Sequence, residues 1–465
     1  MVFSSAIFIA FFLPIVFWGN RLIKQEYSNV FLLIASLIFY AWGEPYLVLI
    51  MVFSIIFNWI MGLEISRAQN KKRRFCLILG IVGNISVLGY YKYAVFFAKT
   101  LNCFIGTEVI RLKEIVLPIG ISFFTFQAIS YIVDVYRGDT EASGTLVNVA
   151  LYISFFPQLI AGPIVKYKDI NKQIDMRYAS WFEVSEGFKR FIYGLGKKVL
   201  IANVLGSCVD TIYAYDISYI DCLSAWIGAV MYTFQIYYDF SGYSDMAIGL
   251  GRMFGFRFNE NFNYPYLSRS ISEFWRRWHI SLGSWFREYV YIPLGGSHKG
   301  KIRTYINLSI VFVLTGLWHG ADFSFIIWGL YHGFFMVIER LGLKTVLERK
   351  KFLSVLYTFF IVNLGWVFFR SENTITGIRY IVRMMLPWRH WNTGLIAYNC
   401  IDKKIVFTLI CAFVGMGVIS CFIPEKIKRK WDNSFVEAIY CVFVLFLSLA
   451  SIASNTYNPF IYFQF

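Results

Sequence analysis

Charged residues are scarce in this chain, and acidic ones are the scarcest. Its 465 residues include 28 Asp and Glu against 44 Lys and Arg, so that 15% are charged and the formal net charge is +16. Hydrophobic residues make up 58% and aromatic residues 20%. Soluble domains carry about 25% charged residues, and disordered chains are poor in apolar ones. The composition therefore excludes both classes and indicates a membrane protein.

Several motifs of soluble enzymes, metal sites and disulfide scaffolds are also missing. The eight cysteines are scattered without a CxxC pair, the five histidines form no HxxxH or HExxH, and no GxSxG occurs. Segment 295–301 fits GxxxxGK, but Ile302 stands where a P-loop needs Ser or Thr. We therefore expect no disulfide framework, no metal site, no bound cofactor and no serine-hydrolase elbow.

Apolar runs are abundant, and a spanning helix needs about 20 mostly apolar residues. The clear runs are 2–18, 29–43, 46–63, 76–92, 116–135, 146–163, 219–238, 323–338, 353–369, 405–422 and 435–453, with weaker ones at 186–205 and 304–317. The longest gap, from 239 to 303, is itself rich in aromatic residues and leaves no room for a soluble domain. We predict an all-α polytopic membrane protein with about 11 to 14 transmembrane or re-entrant helices in a single domain over residues 1–465.

Lys and Arg in short loops predict the orientation, because such loops stay in the cytoplasm. Arg21 and Lys24 place the first loop inside and the basic segment 71–74 places the third inside, so the N-terminus is expected to face out. Further basic loops expected inside lie at 166–177, 344–351 and 426–430. The alternation then requires another crossing or dipping element between Lys92 and Glu114.

The densest basic region runs from 252 to 303 and is expected on the cytoplasmic side. It contains seven Arg and two Lys against three Glu, a net charge of +6, interleaved with tryptophan. One interpretation is an interfacial helix whose arginines contact anionic lipid. The other is a mouth that attracts a phosphate-bearing donor such as a coenzyme A thioester. Arg276, Arg277 and Arg287 are the candidate phosphate ligands, because a planar guanidinium donates hydrogen bonds in pairs.

Four of the five histidines fall between residues 279 and 332, and His319 lies between two apolar runs. A titratable ring at membrane depth lines a cavity by default, although a hydrogen-bonded structural histidine is the alternative. Imidazole is suited to removing a proton from a hydroxyl or thiol near neutral pH. Gly316 and Gly320 leave room beside His319 for a substrate or for a neighbouring helix.

Asp239 and Asp245 follow the apolar run 219–238. Hydroxyl and carboxyl side chains cluster in the segment 238–245 that contains them. The two carboxylates are interpreted either as interfacial caps or as polar walls of a cavity, and the clustering favours the second.

Ordered motifs extend through the middle of the chain. They lie at 117–127, 155–164, 234–245, 273–282, 318–320 and 366–370. Together they resemble the membrane-bound O-acyltransferase family, and specifically its bacterial alginate O-acetyltransferase branch. The likeness covers residues 117–370 and continues more loosely into the helices of 1–116 and 371–465.

The resemblance implies a helical membrane fold with a central passage. It implies that His319 is the catalytic group at the passage and that His279 is a second functional histidine on the cytoplasmic side. It also implies a thioester donor used from inside and an acyl group delivered outward to an envelope polysaccharide. It further implies an exported partner of the SGNH-hydrolase type that completes the transfer.

We therefore expect a lipid-embedded acyltransferase of the bacterial plasma membrane with no nucleic-acid partner. It would move an acetyl group from a cytoplasmic thioester, with acetyl-CoA as co-substrate, for O-acetylation of an alginate-like polysaccharide. His319 would act as general base, and the oxyanion donor is left open among Trp318, tyrosine hydroxyls and His279.

Three alternatives stay open at the level of sequence. Within the family, the chain could transfer D-alanine from a carrier protein to teichoic acids, or it could O-acetylate peptidoglycan. Outside the family, a transporter or flippase could use His319 and Asp239 to relay protons or bind cargo. Ser281 or a cysteine could carry an acyl group if an acyl-enzyme forms.

Overall fold

The computed structural model describes residues 1–386, 395–418, 435–454, 457–459 and 461. The predicted basic loop 426–430 lies outside them. Within the described ranges the regular structure is helical, apart from an isolated bridge between Phe262 and Trp278. The chain divides into two compact units: unit 1 is Met1–Phe191 with Met246–Asn259, and unit 2 is Ile192–Asp245 with Glu260–Phe465.

Six of the described helices are long and apolar enough to cross a membrane. They are Val48–Arg67, Asn70–Ile105, Trp181–Ala214, Phe323–Arg349, Lys351–Arg370 and Phe435–Ser454. Their most apolar windows have mean hydropathies from 1.2 to 2.3. The prediction of an all-α, multi-pass membrane protein is confirmed.

Unit 1 is built mainly from the N-terminal helices. Besides parts of Trp181–Ala214 and Cys222–Met253, its helices are Phe8–Leu22, Gln25–Ala41, Val48–Arg67, Asn70–Ile105, Ile121–Arg137, Leu146–Ser154, Phe156–Leu159 and Tyr167–Asp175. The motif 117–127 explains where one of them starts. Gly120 has φ +74°, and a Cβ there would lie 2.7 Å from the carbonyl oxygen of Leu159. Only glycine fits this turn into helix Ile121–Arg137.

The apolar run 146–163 does not form one helix. Helix Leu146–Ser154 stops at Phe155, whose ψ of 114° is not helical, and the short helix Phe156–Leu159 follows. Pro157 explains the interruption, because it has no N–H for the carbonyl oxygen of Ile153 and its ring would clash there. The prediction of a single span was therefore wrong at this run.

A further crossing element was expected between Lys92 and Glu114, and helix Ala94–Ile105 lies there. The π-helical turn Gly89–Tyr93 joins it to helix Asn70–Leu88, so that the helical run Asn70–Ile105 has 36 residues, a length of about 54 Å. It ends at Gly106, whose φ of +75° is the left-handed conformation typical of a helix C-terminus.

Unit 2 contains the sequence motifs from residue 260 onward. Besides parts of Trp181–Ala214 and Cys222–Met253, its helices are Ile271–Arg277, Ile280–Phe286, Lys301–His319, Phe323–Arg349 with a kink at Gly342, Lys351–Arg370, Thr374–Met385, Leu395–Cys400, Lys403–Phe413 and Phe435–Ser454. Helices Lys301–His319 and Phe323–Arg349 pack closely. A Cβ on Gly316 or Gly329 would collide with a carbonyl oxygen of the opposite helix, of Phe325 and Phe312 respectively.

Gly316 and Gly320 thus serve helix packing, which was one of the two roles considered for them. A Cβ on Gly320 would overlap the ring of Phe325, just as one on Gly316 would meet the Phe325 backbone. Small residues let helix backbones approach each other. This approach fixes the end of helix Lys301–His319 and therefore the position of His319.

Candidate active site

His319 is the last residue of helix Lys301–His319 and is buried, with 6% of its surface exposed. Its ring meets three aromatic rings edge to face, with centroid distances of 4.9 Å to Trp318, 5.1 Å to Trp328 and 5.1 Å to Phe369. Helices Phe323–Arg349 and Lys351–Arg370 supply the last two rings. We call these three rings the aromatic cage of His319. Its apolar walls restrict the access of water to the imidazole.

His279 occupies a different kind of site, at the residue before helix Ile280–Phe286. Its backbone has φ +46° and ψ +54°, a left-handed conformation uncommon for a residue with a side chain. Its Nδ1 lies 3.1 Å from Oδ1 of Asn261, and its ring packs edge-on against Phe240 at 4.6 Å. Burial lowers the pKa of His279 to about 3, because the charged form loses hydration. The ring is therefore neutral at physiological pH.

Trp318 links the two histidines. Its ring centroid lies 5.9 Å from that of His279 and 4.9 Å from that of His319. The structure therefore brings together the three residues that the resemblance and the sequence placed at the site, although they lie up to 40 positions apart in the sequence.

A cavity of about 430 Å³ in unit 2 is lined by His279 and by three arginines. Two of them, Arg276 and Arg287, were candidate phosphate ligands, and the third is Arg340. Thr315 also lines the cavity, one helical turn before His319. Glu288 is the acidic residue among the lining side chains, so the charge of this basic cavity favours an anion.

Arg340 was not predicted as a site residue, because it belongs to a separate segment just beyond the apolar run 323–338. Its neighbour Glu339 connects this segment to the helix that carries Arg276. The buried carboxylate of Glu339 accepts hydrogen bonds from the backbone N–H groups of Ile271 and Ser272 and from the Ser272 hydroxyl. A carboxylate at a helix N-terminus satisfies its free N–H groups, and here it fixes the helix that carries Arg276.

Arg277 does not line this cavity. Its Nη2 forms an ion pair with Oε1 of Glu273 at 2.7 Å, and its Nη1 donates to the carbonyl oxygen of Asn263 at 3.4 Å. Neighbouring residues on a helix point in different directions, and here Arg276 lines the cavity whereas Arg277 does not. The structure gives Arg277 a local structural role.

Asp239 and Asp245 do not end a span, because helix Cys222–Met253 continues past both. Asp239 forms an ion pair with Lys198 at 2.5 Å, with both side chains at least 96% buried, and it also accepts from the N–H of Ile461 at 2.9 Å. Asp245 pairs with Lys197 at 2.6 Å. Neither residue lines the basic cavity, and pairing with lysine explains why a helix tolerates them.

The described part of the chain has no group of three or more His, Cys, Asp or Glu side chains placed to hold a metal ion.

Comparison with known proteins gives the family. The sequence profile of the membrane-bound O-acyltransferase family matches residues 142–346. The chain is 41% identical to the probable alginate O-acetylase AlgI of Pseudomonas putida over the full length of both proteins. It is 48% identical to the protein of the same name from Pseudomonas aeruginosa, over 90% of this chain and 81% of the relative.

A peptidoglycan O-acetyltransferase of Helicobacter pylori is 38% identical, over 83% of this chain and 80% of that protein. Likeness of this extent carries the acyltransferase activity as well as the fold. The chain is a multi-pass membrane acyltransferase and belongs to the membrane-bound O-acyltransferase family.

Proposed function

We propose that this acyltransferase moves an acetyl group from a cytoplasmic thioester for the O-acetylation of an alginate-like polysaccharide. The acceptor class follows from the relatives named alginate O-acetylase, since the likeness to one of them spans the whole chain. The structural observation that carries the proposal is the basic cavity, in which His279 lies beside Arg276, Arg287 and Arg340.

The cavity suits a donor that carries phosphate groups, and acetyl-CoA is such a donor. Guanidinium groups bind phosphate through paired, charge-assisted hydrogen bonds. Trp275, Trp278 and Phe286 add aromatic walls, against which an adenine ring could stack. In this proposal the arginines hold the phosphates while the thioester arm extends past Thr315 toward Trp318.

His319 acts as the general base in the proposed reaction. It removes the proton from the acceptor hydroxyl, whose oxygen attacks the thioester carbonyl. The new C–O bond forms, the C–S bond breaks, and the departing thiolate takes up the proton from the imidazolium. The aromatic cage restricts water, which would otherwise hydrolyse the thioester. The indole N–H of Trp318 is one candidate donor to the oxyanion.

The proposal includes an exported partner of the SGNH-hydrolase type that completes the transfer, and a location in the bacterial plasma membrane. Both are supported by the family likeness, and the six apolar helices are consistent with the location.

The test follows release of free coenzyme A from acetyl-CoA by the detergent-purified chain, with the exported partner and alginate supplied. Wild type is compared with His319→Ala and His279→Ala. Exposed His298 provides a matched control as His298→Ala. We expect turnover by wild type and by the control, and a fall of about 100-fold or more in His319→Ala, as for loss of a general base.

Other outcomes would redirect the proposal. Turnover with an acyl-charged carrier protein but not with acetyl-CoA would indicate D-alanyl transfer. Acetylation of peptidoglycan but not of alginate would change the acceptor. Absence of turnover with every donor, while the protein stays folded, would contradict the proposal and favour transport.

A further inference from the structure

Asn261 is the centre of a buried hydrogen-bond network around His279. Its Oδ1 lies 3.1 Å from Nδ1 of His279, 3.2 Å from the backbone N of Ser281 and 2.9 Å from the Ser281 hydroxyl. Its Nδ2 donates to Oγ of Ser244 at 3.0 Å. Asn261 is 1% exposed, so these bonds are protected from water.

The backbone of Ser281 fixes which end of the Asn261 amide faces His279. A backbone N–H can only donate, so the Asn261 atom facing it must be the carbonyl oxygen. If the amide were reversed, its Nδ2 donor would face the N–H donor of Ser281. The Nδ2 group is then left to donate to Ser244, as observed. The amide orientation, normally an assignment made from the hydrogen-bond network, is determined here by a group of known polarity.

The same oxygen determines where His279 carries its proton. An unprotonated Nδ1 would direct its lone pair at the lone pairs of Oδ1 across 3.1 Å. A protonated Nδ1 donates a normal hydrogen bond across that distance. A neutral imidazole carries one N–H, so the other nitrogen, Nε2, is then an acceptor.

We infer that Asn261 is a positioning residue that holds His279 in the tautomer protonated on Nδ1, so that Nε2 carries a lone pair. Its consequence for catalysis rests on the proposed function, because it concerns the donor bound in the basic cavity. The left-handed backbone of His279 supports the inference. The N–H of the next residue, Ile280, donates to the Asn261 carbonyl oxygen at 3.0 Å, so the side chain and the backbone of Asn261 both hold this strained turn.

Two roles considered for the site are then excluded. An Nε2 that accepts cannot donate to an oxyanion, so His279 is a base or a hydrogen-bond acceptor. Trp318 and the tyrosine hydroxyls remain as the candidate oxyanion donors. Ser281 cannot be activated by Nδ1, although its Oγ lies 3.5 Å away, because Nδ1 already carries a proton. An acyl-enzyme on Ser281 is therefore not formed with His279 as its base.

The test compares wild type with Asn261→Asp, which keeps the acceptor oxygen, and Asn261→Ala, which removes it. Asn84→Ala is the matched control, since Asn84 is a buried, hydrogen-bonded amide of unit 1. Two readouts are taken: two-bond ¹H–¹⁵N correlations of ¹⁵N-histidine-labelled protein, with His279→Gln identifying the signal, and the pH profile of thioester turnover. The first readout does not require activity.

We expect the Nδ1–H tautomer in wild type and a mixture of tautomers in Asn261→Ala. Turnover should fall about 10- to 100-fold in Asn261→Ala, because the Nδ1 donor of His279 loses its buried acceptor, and be unchanged in Asn84→Ala. Asn261→Asp should retain turnover near neutral pH. Its negative charge favours the imidazolium, so its turnover should fall on the acid side where wild type shows no such loss.

The charged groups of the cavity, Arg276, Arg287, Arg340 and Glu288, are identical in all these proteins, so a changed profile reports on position 261. An Nε2–H tautomer in wild type would overturn the inference. So would wild-type turnover and pH profile in folded Asn261→Ala. If wild type turns over no thioester, the proposed function fails, while the spectra still decide the tautomer.

Discussion

The two histidines beside Trp318 are held in contrasting ways. His319 ends a helix and lies in a cage of aromatic rings, so packing positions it. His279 lies in a strained turn and is oriented by the hydrogen bonds of Asn261. The hydrogen bond to Asn261 also selects which nitrogen of His279 carries the proton. The contrast indicates that changes in packing should act on His319, and changes in polar groups on His279.

The largest effect is expected from breaking the packing that sets the cage. In Gly316→Ala the new Cβ would overlap the carbonyl group of Phe325, so helices Lys301–His319 and Phe323–Arg349 must separate. Overpacking of this kind costs about 1 to 3 kcal/mol, and displacement of His319 should lower turnover about 100-fold. Thermal unfolding in detergent and coenzyme A release measure the two effects. Gly89→Ala is the control, since nothing lies within 4 Å of its Cβ position.

A smaller effect is expected from the arginines of the basic cavity. Arg276→Gln and Arg287→Gln should each raise the KM for acetyl-CoA about 10-fold, because one charge-assisted contact is worth about 1.5 to 3 kcal/mol before solvent screening. Arg277→Gln should leave KM unchanged, since Arg277 pairs with Glu273. Steady-state kinetics over a range of acetyl-CoA concentrations distinguish the variants. An equal rise in KM in all three variants would contradict the assignment of Arg276 and Arg287, but not Arg277, to the donor site.

The burial of His279 should appear in the pH dependence of stability. Its pKa is lowered to about 3 in the folded chain, whereas an unfolded histidine titrates near pH 6.5. The unfolded state therefore binds the proton first, and stability falls as the pH drops below about 6.5, by up to about 1.4 kcal/mol per unit. Chemical unfolding at a series of pH values should show a shallower slope in His279→Gln. An unchanged slope would assign the dependence to other groups.

The smallest effect is expected at Ser281. Ser281→Ala removes a hydroxyl that donates to Asn261, but it leaves the bond between Asn261 and His279 in place. Turnover should stay within about 3-fold of wild type, the cost of losing one ordinary hydrogen bond of about 0.5 kcal/mol. Loss of turnover together with loss of an acetylated intermediate in mass spectra would restore Ser281 as an acyl carrier.

Several features of the site could be predicted from the sequence because they are local. The GLWHG segment identified His319, since a histidine between two apolar runs is costly unless it has a function. The density of arginine between residues 252 and 303 predicted an anion-binding region, and Arg276 and Arg287 of this segment line the cavity. The break at Phe155 could also have been predicted, since Pro157 interrupts the run that contains it.

Other features were not predictable because they join distant segments. Nothing near Arg340 marks it as a neighbour of Arg276, yet Glu339 holds the two segments together. Asn261 is a polar residue in an aromatic stretch, and its partners are Ser244, His279 and Ser281. The same limitation applies to Asp239 and Asp245, whose lysine partners lie 41 and 48 positions earlier.

The sequence by itself determined that this is a multi-pass membrane acyltransferase, and it predicted a functional histidine and a basic region for the donor. Hydrophobic run lengths, charge composition and ordered motifs are properties of the chain alone. Only the tertiary structure decided which arginines share a cavity, that the acidic residues of helix Cys222–Met253 are neutralised by lysine, and where His279 carries its proton. These depend on distances of 3 to 6 Å between segments that are far apart in the sequence, and helix packing sets those distances.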